Sequence, residues 1–74
     1  MEYSVKYRSV MFPEAIRLSI KTFDRNEAIS QMRDEVFFYH AIESWIEVDG
    51  EVIDRFAFTP EVRDAIKAVD ATEA

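Results

Sequence analysis

Apolar and polar residues alternate along the first part of the chain. In Tyr3-Ser4-Val5-Lys6-Tyr7-Arg8-Ser9-Val10, the residues Tyr3, Val5 and Tyr7 share one face and Ser4, Lys6 and Arg8 the other. A period of two is the mark of a half-buried strand. Met11-Phe12-Pro13-Glu14 interrupts it, and the proline signals a turn. Alternation resumes in Ala15-Ile16-Arg17-Leu18-Ser19-Ile20-Lys21-Thr22, where Ile16, Leu18 and Ile20 oppose Arg17, Ser19 and Lys21. Two antiparallel strands joined by a short loop are expected.

The period then changes. Asp24-Arg25-Asn26-Glu27 has the form of a capping box, in which Asp24 accepts from an amide three residues on and Glu27 reaches back to the amide of Asp24. A helix from about Arg25 to Tyr39 should follow. At about 100° per residue, Ile29, Met32, Val36 and His40 fall within an arc of about 80°, with Ala28, Tyr39 and Phe37 on its margins. Glu27, Gln31 and Asp34 lie opposite. The three consecutive rings Phe37, Phe38 and Tyr39 spread over about 200° and cannot all enter one core. Phe38 is the misfit: either the helix ends before it or something covers it.

Ala41-Ile42-Glu43-Ser44-Trp45-Ile46-Glu47-Val48 alternates again, with Ile42, Ser44, Ile46 and Val48 on one face and Glu43, Trp45 and Glu47 on the other. Asp49-Gly50 holds the chain's one glycine and predicts a hairpin turn at positive φ. Glu51 to Phe58 is the return strand. A three-residue loop would set Ile46 against Val52, Ile42 against Phe56 and Glu43 against Arg55. It is preferred to a two-residue turn, which would set Glu43 against Phe56. Thr59-Pro60-Glu61 reads as a helix start, and Val62, Ala65, Ile66 and Val69 as the apolar stripe of a short helix that must dock.

The expected architecture is an α+β domain spanning residues 1–74, β-β-α-β-β-α. Two hairpins form a four-stranded antiparallel sheet, one long helix crosses one face, and a short last helix docks. The back of the sheet would carry Lys6, Arg8, Arg17 and Lys21 from the first hairpin, and Glu43, Trp45, Glu47, Glu51 and Ile53 from the second.

Composition sharpens this picture. A 74-residue chain buries only about 60% of the surface its unfolded form exposes, so its folding margin is thin. There is no cysteine to staple it. The 49% apolar content argues for a packed core. Residues 1–37 hold six basic and six acidic side chains, so the net charge of −6 sits wholly in residues 38–74. Direct binding of nucleic acid, which needs clustered Lys and Arg, is disfavoured. The opening residues predict no signal peptide, and no apolar run has the roughly 20 residues of a membrane helix, so a cytoplasmic location is expected.

Reactive chemistry is sparse. His40 is the one histidine, and without cysteine a zinc set of the usual types cannot be assembled in one chain. Ser30 and Ser44 lack a nucleophile-elbow context, and a single glycine excludes the ordinary phosphate-binding loops. Glu43 and Glu47 stand about 13 Å apart by strand rise, too wide for a glycosidase pair. No catalytic residue, cofactor or metal is predicted.

A non-enzymatic protein-binding module, an inhibitor or adaptor, is the leading expectation. In size and charge the chain is similar to the small acidic proteins that phages and mobile elements use against host defence, anti-CRISPR inhibitors among them. That likeness is one of class and rests on no motif. It implies that Glu43, Glu47, Asp49, Glu51 and Asp54 mimic phosphates against a basic groove in the host cytoplasm, with Trp45 and Phe38 as apolar contacts. A homodimer joined through the two-signed back of the sheet is the alternative.

Overall fold

The computed structural model describes residues 1–57 together with 59, 61, 64 and 68. The elements are β1 (Tyr3–Ser9), β2 (Ile16–Thr22), α1 (Arg25–Phe37), β3 (Ala41–Val48) and β4 (Glu51–Ala57). They form a four-stranded antiparallel sheet in the order β2-β1-β3-β4, with α1 laid across one face. The fold is α+β, and the β-β-α-β-β order is the one the alternation predicts. The apolar stripe expected on a last helix, Val62, Ala65, Ile66 and Val69, lies outside the described residues.

Because β1 sits between β2 and β3, the two hairpins share one continuous sheet. Val5 of β1 and Ile46 of β3 meet Ala28 and Met32 of α1 in the core, with Tyr3, Ile20, Ile29 and Phe56 packed around them. The faces of β1 and β3 are those their alternation predicts. Ser44 turns inward as expected and is sealed, its hydroxyl donating to the Lys6 carbonyl (2.9 Å).

The cap of α1 is half of the box expected. Asp24 Oδ1 accepts from the amides of Asn26 (2.9 Å) and Glu27 (3.3 Å). The amide of Asp24, however, donates to Thr22 Oγ1 (3.0 Å), so Glu27 is not recruited and stays exposed. The helix also stops earlier than Tyr39. Phe38 is its C-cap, its amide donating to the Asp34 carbonyl (2.8 Å), and His40 adopts φ 60° on the way into β3. His40 therefore leaves the buried stripe, and the three rings do not enter one core. Phe37 stacks on Phe56 with centroids 5.6 Å apart, while Phe38 and Tyr39 face outward.

Two irregularities overturn expected faces. Between β1 and β2, Val5 pairs with Ile20 but Lys6 with Leu18, so Ser19 is an extra residue in β2. A bulge of one residue swaps every side chain beyond it to the other face. Leu18 and Ile16 thus lie on the back beside Lys6 and Arg8, and Arg17 stands on the helix side, the reverse of the simple alternation. In the second hairpin a two-residue turn is formed, with Asp49 at φ 51° and Gly50 at φ 82°, pairing Val48 with Glu51 and Glu47 with Val52. Ile46 then pairs with Asp54, leaving Ile53 as the extra residue, and Trp45 faces Arg55. The three-residue loop is not used, because Asp49 tolerates the left-handed region the tighter turn needs. The back of β4 consequently shows Val52 and Arg55, where Glu51 and Ile53 were expected.

Candidate functional site

The seven residues expected to meet a partner do not form one surface. Glu43, Trp45 and Glu47 share the back of β3, but they face the basic side chains of β1. Arg8 Nη2 lies 2.8 Å from Glu43 Oε1, and Lys6 Nζ lies 3.1 Å from Glu47 Oε1. Arg55 adds a longer, diagonal contact of 3.8 Å to Glu43 Oε2. Trp45 is only 5% exposed, and its indole N–H donates to Glu47 Oε2 at 2.6 Å. That bond, followed by the one from Lys6, holds the Glu47 carboxyl below its ordinary value of 4.5. The charge of Glu43 and Glu47, expected to meet a basic groove or a second copy, is engaged within one chain.

The other candidates are dispersed. Asp49 and Glu51 lie at the exposed hairpin turn, and Asp54 pairs with Ile46 so that it belongs to the helix side of the sheet. Phe38 stands at the opposite end, on the cap of α1.

Around Phe38 the sequence pattern missed a larger feature. The sheet end where β1 stops and β2 and β3 start also receives the C-terminus of α1. There the loop of residues 10–15 meets the connection from α1 to β3, tied by the Val10 amide donating to the His40 carbonyl (3.2 Å). Within the loop, Ser9 Oγ accepts from the Met11 amide (3.1 Å), the Phe12 carbonyl accepts from Ala15 (3.1 Å), and Arg8 Nη1 donates to the Pro13 carbonyl (3.2 Å). On this framework Val10, Met11, Phe12, Phe38 and Tyr39 are 57% to 78% exposed. The Arg17 guanidinium carbon lies 5.4 Å from the centroid of Phe12.

Between the loop and α1 opens a cleft of about 390 Å³, lined among others by Tyr7, Phe12, Tyr39, Arg17, Gln31 and Glu35. Glu35 is only 6% exposed. Its Oε1 accepts from Ser19 Oγ (2.5 Å) and Gln31 Nε2 (2.9 Å), and Gln31 also donates to Ser19 Oγ (2.9 Å). The bulge in β2 brings Ser19 to this position. A signal for Glu35 was present on the helical wheel, where it lies about 20° from Ala28, itself on the margin of the apolar stripe.

The groups weighed for catalysis are placed otherwise. His40 is exposed, and Ser44 is sealed on the Lys6 carbonyl. Among the described residues, no three His, Asp or Glu side chains are grouped to hold a metal, and no helix is long and apolar enough to cross a membrane. No protein-family model matches the chain, nor does any curated protein or solved structure.

Proposed function

We propose that the protein is a non-enzymatic binding module, an inhibitor or adaptor, that occupies the surface of a protein partner through its loop end. The exposed cluster of Val10, Met11, Phe12, Phe38 and Tyr39 supports this best. Aromatic rings, Met and Arg are the residue types enriched where protein surfaces meet, and exposed apolar side chains gathered at one end of a fold are the kind that mark interaction sites. A chain with a thin folding margin gains nothing in stability from side chains left in water. The hydrogen bonds that fix the loop reduce the ordering needed when a partner arrives.

In this proposal the acidic turn of Asp49, Glu51 and Asp54 lies at the far end of the sheet and contributes long-range attraction to a basic surface. Size and charge suit the anti-defence inhibitors of phages and mobile elements, with the contact moved from the second hairpin to the loop end.

Site-specific photo-crosslinking in cells that express the chain is the test. A benzophenone side chain is placed at Phe12 or Tyr39, with Glu2 and Lys21 as exposed control positions. A discrete protein adduct from Phe12 and Tyr39 but not from the controls is expected. Absence of an adduct, or the same adducts from all four positions, would sink the proposal. An adduct at twice the chain's 8.7 kDa would instead identify a second copy as partner.

A further inference from the structure

Glu35 occupies a place that its own helix does not favour. It lies in the last turn of α1, where the helix dipole is negative and no basic side chain is present. It is buried, yet Lys6, Arg8 and Arg55, the cations that form ion pairs among the described residues, pair elsewhere. Both of its hydrogen bonds come from neutral donors and both reach Oε1. Oε2 accepts nothing. It is also not sealed, since among the described residues no buried side-chain polar atom lacks a partner. A carboxylate oxygen with no ion pair therefore stays unsealed on a residue that lines the cleft, which is costly unless a cation answers it.

The walls suit a cation as well. Tyr7, Phe12 and Tyr39 line the cleft, and the negative faces of such rings attract an ammonium or guanidinium group. Arg17 already rests over Phe12 at the rim. The volume of about 390 Å³ is at the small end for ligand sites, adequate for a single long side chain. The chain's net charge of −6 draws basic segments toward it.

Building on the binding function above, we infer that this cleft receives an arginine or lysine side chain of the partner protein, its cationic head on Glu35 Oε2 and its stem between Tyr7, Phe12 and Tyr39. The aromatic rim provides contact area, and Glu35 provides selection for positive charge. Ser19 and Gln31 hold the carboxylate in place. Arg17, exposed over Phe12 and itself lining the cleft, competes for the same oxygen.

The test is a nuclear magnetic resonance titration of the full chain with acetyl-Ala-Arg-Ala-amide, the matching lysine peptide, and the citrulline peptide, which keeps the shape of arginine without its charge. The arginine and lysine peptides should shift the amide signals of Tyr7, Phe12, Gln31 and Tyr39 in a saturable way, and the citrulline peptide should not. Glu35→Gln retains an acceptor for Ser19 and Gln31 and should weaken binding about tenfold or more. Arg17→Gln should strengthen it severalfold, and Phe12→Ala, which leaves Glu35 untouched, should weaken it. Equal shifts from arginine and citrulline, no saturable shift from either cation, or parent-like binding by a folded Glu35→Gln variant would each overturn the inference. If Phe12→Ala abolishes the cellular crosslink from Tyr39 while Glu35→Gln preserves it, protein binding stands and the cation site falls.

Discussion

The back of the sheet and the loop end both combine rings with charges, and they are built in opposite ways. On the back, Trp45 is buried, its N–H is satisfied by Glu47, and each acid of β3 faces a base of β1. At the loop end the rings stand in solvent, and the buried acid has neutral partners and one open oxygen. In the first arrangement the acids of β3 and the indole N–H are answered within the chain. The second is incomplete, and its missing pieces are an apolar surface and a positive charge. A surface that looks interactive in the sequence can thus be structural, and a stretch that looks like loop and helix end can hold the unanswered chemistry.

The largest expected effect tests whether the back is structural. Trp45→Ala should cost about 3–5 kcal/mol, the usual toll for truncating a buried aromatic. That is comparable with the whole stability of so small a domain, so the variant should be largely unfolded at room temperature. Circular dichroism with urea titration measures this. A variant as stable as the parent would mean that Trp45 is a surface residue after all.

A smaller effect concerns Glu47. Its lowered pKa means that the folded state holds its proton less readily than the unfolded chain. The stability it contributes is therefore complete above the ordinary value of 4.5 and is lost as the pH falls through the folded value. Glu47→Gln should be less stable than the parent near neutrality, and the gap should close on acidification below about pH 4.5. Urea midpoints across a pH series decide it. A gap that is constant with pH would separate the bond to Trp45 from the charge of Glu47.

Much of this structure is legible in the chain, and the parts that are not share a cause. Strand alternation and the Asp24 cap are local signals, and they place four strands and a helix start correctly. The bulges at Ser19 and Ile53 are not local. Leu18-Ser19-Ile20 looks like uninterrupted alternation, yet one extra residue sends Leu18 to the back and Arg17 to the front. The end of α1 is hidden because the left-handed residue that follows it is His40, where glycine or asparagine would have announced it. The pairing of β1 with β3 is a contact between residues some forty positions apart, such as Lys6 and Glu47. Alternation cannot show that this contact neutralises the acidic strand. Once that neighbour is known, Glu43 and Glu47 drop out of the expected charge patch, and among the described residues Glu35 becomes the buried acid without a cation.

The smallest expected change in stability is the most discriminating for the comparison. Met11→Ser, Phe12→Ser and Tyr39→Ser each remove an apolar side chain that is mostly in water, so Met11→Ser and Tyr39→Ser should each shift stability by no more than about 0.5 kcal/mol and Phe12→Ser by little more. Phe12→Ser also removes the ring under Arg17, an exposed stacking contact worth at most about 0.5–1 kcal/mol, and it should be the most perturbed of the three. Urea titrations of the three variants beside Trp45→Ala provide the measurement. If the loop-end rings were a small second core, their losses would approach those of the buried tryptophan, and the loop would be a structural clasp. If stability is unchanged while the crosslink from Tyr39 is lost in Met11→Ser and Phe12→Ser, the rings have no use within the chain. Their contribution to folding is then negligible and their contribution to association large, the reverse of Trp45.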